Sequence, residues 1–212
     1  MLKDLDLSNK ELREIFDGMI FAFADALDAK SPWTRGHSER VTSIAVSIAN
    51  EMNLSEREIE ILKTASILHD IGKIGTYDEI LDKPGKLTDE EFTLVKQHPG
   101  KGADFLKHIK KMEDITVIIR HHHERLDGKG YPDGLKGKEI PLLARIVTVA
   151  DSFDAMIAER PYRPPLSLDS ALNELRTKSG TQFEPLAVEA FMRVISRSEF
   201  TPPVQSLTAG NI

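Results

Sequence analysis

Residues 55–70 read SEREIEILKTASILHD, and this stretch sets the fold class. Ser55 and Glu58 stand three apart, the signature of a capping box, in which each side chain satisfies a backbone N–H of the other at a helix start. Behind them Ile59, Leu62, Ala65 and Leu68 recur every three residues, one stripe of a helix. The stripe ends on His69-Asp70, two side chains able to hold a metal. Toward the N-terminus, Val41, Ile44, Ala45, Ile48, Ala49 and Met52 repeat the pattern. Before them Leu12, Ile15, Phe16, Met19, Ile20, Phe23, Ala26 and Leu27 predict one face of a long helix starting near Ser8. Toward the C-terminus, Thr88 with Glu91 makes a second capping box, leading into Phe92 and Val95. Further helical spacing runs from about Ile115 to His123, Leu142 to Ile157, Ser167 to Leu175 and Pro185 to Ile195. No stretch alternates with period two for long, so the architecture is all-α.

Two regions break the rhythm. Gly72 to Lys86 and Asp127 to Pro141 are rich in Gly and Pro and read as loops. Residues 199–212 contain Pro202-Pro203 and read as a flexible tail.

At 212 residues with 40% apolar side chains the chain can bury one sizeable core, which excludes general disorder. The net charge of −6 argues against a nucleic-acid polymer as partner. No cysteine is present, which rules out disulfides, iron–sulfur clusters and thiolate zinc sites. No apolar run approaches the roughly 20 residues of a membrane span, and the N-terminus lacks the pattern of a secretory signal. The expectation is a soluble cytoplasmic protein whose metal site, if any, is built from His, Asp and Glu.

Five of the seven histidines stand where such a site makes sense. His69 and Asp70 follow the third helix. His98 ends the helix opened by Thr88, His122 and His123 precede the second glycine-rich region, and His37 begins the second helix. Asp151 lies within the apolar run Val147, Val149, Ala150 and Phe153, where an unpaired carboxylate is costly to bury. Arg145 is available to pair with it. His108, among lysines, and His121 read as surface residues.

The order of a His, then His-Asp, then a distant Asp resembles the HD superfamily of metal-dependent phosphohydrolases. The run His122-His123-Glu124-Arg125-Leu126-Asp127-Gly128-Lys129-Gly130-Tyr131-Pro132 resembles the signature of its HD-GYP branch, and His69-Asp70-Ile71-Gly72-Lys73 resembles that branch's other hallmark. The likeness extends from about Phe21 to Ile195. It implies an HD-type helical bundle with a glycine-rich loop and two metal-carrying helix ends. It also implies hydrolysis of the bacterial second messenger cyclic di-GMP to pGpG, and then to GMP if a second cut follows.

The resemblance assigns His37, His69, Asp70 and Asp151 to one metal, and Asp70 as a bridge with His98, His122 and His123 to the other. Two divalent ions, Fe or Mn, suit such N and O donors, and about four of roughly twelve coordination positions stay open. A hydroxide shared by two cations about 3.5–4 Å apart is the implied nucleophile. Lys73 and Asp70 are the implied catalytic residues, and Lys73, Tyr131, Arg160 and Arg163 the implied substrate contacts. Arg163 stands where relatives often carry lysine. Asp127 and Glu124 are expected to hold the loop or a ligand histidine, and Asp154 to orient a neighbour or to sit on the helix surface. A Glu that recruits a third metal in some relatives is replaced by Trp33, so two ions are expected.

The expected organisation is an N-terminal helix over 1–29 (packing, dimer or linker element), a catalytic domain over 30–198 and the tail over 199–212. The expected partners are a cyclic dinucleotide, no membrane, and a second copy or a signalling protein docking on the glycine-rich loop. Two other readings remain open: a mononucleotide nucleotidase or phosphatase of HD type, and a non-catalytic sensor that binds the dinucleotide uncut.

Overall fold

Both capping boxes are made. Ser55 Oγ accepts from the Glu58 amide while the Ser55 amide donates to the Glu58 carboxylate at 2.9 Å, and Thr88 and Glu91 do the same. The computed structural model describes residues 2–29, 34–76, 80, 83, 85–159 and 164–197, and within them every side chain except those of residues 2–6, 9 and 13. Trp33, Arg160, Arg163 and the 199–212 tail lie outside the described residues.

Nine α-helices occur among the described residues: α1 Leu2–Asp28, α2 His37–Glu51, α3 Glu56–Leu68, α4 Asp89–Val95, α5 His98–Leu106, α6 Glu113–His121, α7 Leu142–Ile157, α8 Leu168–Thr177 and α9 Pro185–Ser196. Two 3-10 turns, Ile71–Gly75 and Gly137–Glu139, complete the regular structure, and no strand is present among those residues. The all-α expectation holds.

The core is centred on α7, whose run of Ala144, Ile146, Val147, Val149, Ala150 and Phe153 is buried almost all round. A helix apolar on every side belongs in the middle of a domain. It packs on α2, α8 and α9, with the Phe153 and Phe191 rings edge to face at 4.6 Å. In turn α2 packs on α3, and α3 on α6. This stacking brings the starts or ends of α2, α3, α5, α6 and the middle of α7 to one place.

Three sequence expectations need correcting. First, α1 begins at Leu2, and the apolar face read from its spacing is mostly not buried. Only Ile20, Ala24 and Leu27 pack inward, whereas Leu12, Ile15, Phe16, Met19 and Phe23 are exposed. Second, the helix opened by Thr88 stops at Val95, and His98 starts α5 instead of ending α4. Pro99, Gly100 and Gly102 conceal α5 from propensity reasoning, although a proline in the first helical turn loses no hydrogen bond. Third, the start of the Gly72–Lys86 loop is a 3-10 turn.

Gly72 explains how that turn and α5 approach each other. A Cβ at Gly72 would lie 1.9 Å from the His98 carbonyl oxygen and 2.6 Å from the Gly102 amide nitrogen. Only bare backbone fits there. The close contact brings His98 up to Asp70.

At the other end, α2 starts on Gly36, in the left-handed conformation with φ 68° and without a cap of its own. Asp28, the last residue of α1, supplies one from outside: its carboxylate accepts from the Ser38 amide at 3.2 Å and from the Ser38 hydroxyl at 3.0 Å. This fixes the first turn of α2, and with it His37.

Candidate metal centre

Seven side chains expected to converge do so. His37 Nε2 lies 3.7 Å from Asp70 Oδ2 and 3.3 Å from Asp151 Oδ1, and His69 Nε2 lies 3.5 and 3.8 Å from the same two atoms. On the other side His98 Nε2 is 3.2 Å from Asp70 Oδ1 and 3.4 Å from His122 Nε2, while the His123 ring sits 4.1 Å from that of His122. Asp70 therefore turns one oxygen to each half. The ligand atoms of His37, His69 and Asp70 form one compact group, and those of Asp70, His98, His122 and His123 form another, each within 4.8 Å. Asp151 spans the two halves as well, with Oδ2 at 4.0 Å from His123 Nδ1.

A single local device aims three of the rings. His69, His98 and His122 each bring Nδ1 to the carbonyl three residues back, Ser66 at 2.7 Å, Val95 at 2.7 Å and Ile119 at 2.6 Å. Those carbonyls belong to the last turns of α3, α4 and α6, where the regular helix ladder runs out of donors; Ser66 keeps only a long 3.5 Å contact from the His69 amide. A carbonyl only accepts, so Nδ1 carries the proton and Nε2 is left as a bare lone pair facing the centre. His37 is held differently: its Nδ1 lies 2.8 Å from the Asp154 carboxylate, which Arg40 grips through Nε at 2.6 Å and Nη2 at 3.0 Å.

The electrostatics suit a cation. Burial, reinforced by the neighbouring rings, pushes His122 well below the usual histidine range, and burial with the nearby His98 takes His123 down to about 3. Burial also lowers His69. These rings are neutral. Burial works against the charge of Asp70, but Lys73, His69 and His98 overcome it and hold its carboxyl well below the usual range; His37, His69 and His123 do the same for Asp151. Burial opposes charge on His37 too, yet the Asp151 and Asp154 carboxylates outweigh it and raise this ring to about 9.

Two acceptors in the middle, His69 Nε2 and Asp70 Oδ1, have no hydrogen-bond partner. Each buried polar atom left so costs about 1–3 kcal/mol. A divalent cation would satisfy both of these atoms at once, so the residues present fit a metal.

Around this centre the other expected residues fall as follows. Lys73 Nζ lies 2.5 Å from Asp70 Oδ2. The half-exposed Tyr131 ring stacks 4.9 Å from His123, with Phe92 at 6.4 Å, and burial raises its hydroxyl further above the usual tyrosine value. Glu124 holds the glycine-rich loop, not a histidine: its Oε1 accepts from the Asp133 and Gly134 amides at 2.7 and 3.0 Å. A Cβ at Gly130 would lie 2.4 Å from the Glu124 Cα, so the loop lies directly on the end of α6. Asp127 pairs with Arg125 and accepts from the Lys129 amide. Arg145, thought available to Asp151, instead pairs with Glu184. His121 joins Arg120 on Asp133.

Sequence reasoning missed Arg40 and Thr148. Thr148 on α7 donates its hydroxyl to the His122 carbonyl at 2.6 Å and ties the end of α6 to the core. Arg40 was legible: it stands one turn after His37, as Asp154 stands one turn after Asp151, so two facing helices carry matched pairs.

A family model described as HD domain matches residues 22–186. The chain belongs to the HD domain family. The His69–Lys73 and His122–Pro132 signatures assign it to the HD-GYP branch. Among curated HD-family relatives, the cyclic di-GMP phosphodiesterase response regulator RpfG of Xanthomonas campestris pv. campestris is 40% identical over 88% of this chain. The 3'3'-cGAMP-specific phosphodiesterase 3 of Vibrio cholerae is also 40% identical, over 84%. The chain spans 50% and 39% of the lengths of those two relatives. Among solved structures, Bd1817, an HDG"Y"P protein from Bdellovibrio bacteriovorus, superposes with a TM-score of 0.64 at 21% identity, covering 79% of this chain and 53% of that one. That likeness speaks for the HD fold. Among the described residues no helix is long and apolar enough to cross a membrane.

Proposed function

We propose that the chain hydrolyses the phosphodiester bonds of cyclic di-GMP at a centre of two divalent ions, iron or manganese. The observation that carries this reading is the pair of ligand groups sharing Asp70. His37, His69, Asp70 and Asp151 would hold one ion, and Asp70, His98, His122 and His123 the other. All donors are N or O, the set that suits such metals. The ions would supply an activated water and charge stabilisation on the attacking and leaving oxygens.

The chain's own residues do the remaining work. Neutral rings with Nδ1 locked on carbonyls keep their Nε2 lone pairs available without first losing a proton. Lys73, drawn to Asp70 in the free protein, stands where its ammonium can turn to a phosphoryl oxygen and offset the charge that develops there. Tyr131, at the mouth beside His123, forms one wall against a base or phosphate, and Arg160 and Arg163 supply further anion contacts. Glu124 and Gly130 hold the loop that carries Tyr131 against the end of α6. The first product is the linear pGpG, with GMP following a second cut. A cytoplasmic setting goes with a second-messenger substrate.

Relatives named for cyclic di-GMP and for 3'3'-cGAMP stand at equal identity, so the substrate assay includes both. Protein loaded anaerobically with Fe(II) or Mn(II) is incubated with each dinucleotide and the products are separated by chromatography. Cyclic di-GMP should be cut faster than cGAMP. No turnover of either with either metal, or tight binding of an uncut ligand, would sink the hydrolase reading in favour of a sensor.

A further inference from the structure

Helix α1 has one broad apolar side, and the domain buries only one edge of it. Ile20, Ala24 and Leu27 are buried inward. Leu12, Phe16, Met19 and Phe23 stay exposed by 66%, 44%, 55% and 53%, and Ala26 continues their line; Phe16, Met19 and Phe23 form the α1 wall of an open groove. These five follow one another at four, three, four and three, a line along which a second helix can pack as in a coiled-coil seam. Ile15 widens the seam on its outer side. The positions flanking the seam there, Ser8, Ile15 and Ala22, carry no charge.

We infer that α1 is a homodimerisation helix, pairing with α1 of a second copy along the Leu12–Ala26 seam. The area supports this occupant. With roughly 150–250 Å² available per large aromatic side chain, covering the seam and Ile15 in both copies removes on the order of 1,000 Å² from water. That reaches the lower end of stable interfaces, at about 1,000–1,200 Å². The surface beside the seam adds to it: a groove of about 450 Å³ separates α1 from the Ile71–Gly75 turn and α5, and exposed Ile74, Phe105 and Ile109 line its far side. A partner helix on the seam covers that groove. Because Ile71 and Ile74 bracket Gly72-Lys73, the interface reaches the turn that carries the catalytic-centre lysine.

The test uses the whole chain. Analytical ultracentrifugation at micromolar concentration should give twice the monomer mass, and Phe16→Glu with Met19→Glu should halve it while circular dichroism stays unchanged. The absence of cysteine permits a second reading. Met19 is the midpoint of the seam and meets its twin whichever way the helices run, so Met19→Cys should form a covalent dimer on mild oxidation and Asp17→Cys, off the seam, should not. A monomeric wild type, including one that instead binds lipid vesicles, overturns the inference. So does a dimer that survives the double substitution, or equal cross-linking at both cysteine positions.

Discussion

His37 and His122 are both buried in the same centre, yet opposite kinds of acceptor hold their Nδ1 atoms. His122 donates to the Ile119 carbonyl at 2.6 Å, as His69 and His98 do to theirs, whereas His37 faces the Asp154 carboxylate at 2.8 Å. A carbonyl fixes the tautomer without adding charge. A carboxylate fixes it and also stabilises a proton on the far nitrogen, and Asp151 at 3.3 Å adds to this. In the metal-free protein burial keeps His122 and His123 neutral, while His37 on the other side stores a proton. The two halves of one centre are prepared differently for a cation.

The strongest break comes from removing what both halves share. Asp70→Asn should abolish turnover and empty both groups, a loss exceeding the roughly 100-fold that a supporting residue costs. Metal content measured after purification, together with the product assay, checks it. Asp154→Asn should weaken metal binding or turnover by about 10–100-fold, the range for a carboxylate behind a ligand histidine. The loss should fall on the His37 half alone, and titration calorimetry that resolved equal losses in both halves would contradict the comparison.

Gly72→Ala acts on the other half. With backbone 1.9 Å away the turn and α5 must part, at a cost of about 1–3 kcal/mol, and His98 should lose its place while His37 keeps its own. Thermal unfolding should drop by roughly 2–4 °C per kcal/mol. The smallest effect is a proton count. His37 is raised from 6.5 to about 9, so metal uptake between those values should release about one proton, measurable as a dependence of binding heat on buffer. Linkage also gives the metal-free protein a stability optimum. The contribution of His37 is complete below pH 6.5 and is lost as pH rises through about 9. His69, His122 and His123, with lowered values, act the other way, and stability falls as pH drops below 6.5. Asp154→Asn should shrink the alkaline limb, with Asp151 still holding part of it, and leave the acidic one.

Much of this was written in local patterns. Helix α3 and its cap followed from four apolar positions and a Ser-Glu pair; histidines at helix ends and an Asp in an apolar helix marked the candidates, and only the family resemblance divided them between two ions. The parts that escaped are long-range. Nothing near Gly72 announces that it meets Gly102, because the contact joins a turn to a helix thirty positions on. Spacing alone identified the apolar side of α1 but not whether its own domain covers it. The roles of Asp154 and Arg40 became definite only when α2 and α7 were placed face to face.

The tether between each ring and the final turn of its helix has a mechanical side. His69, His98 and His122 would pass any pull on their Nε2 atoms by a bound cation to the Ser66, Val95 and Ile119 carbonyls, and so would tighten three helix termini together. Occupancy of the centre and the rate at which those termini fray become one quantity, and amide exchange at the ends of α3, α4 and α6 would read out how full the protein is.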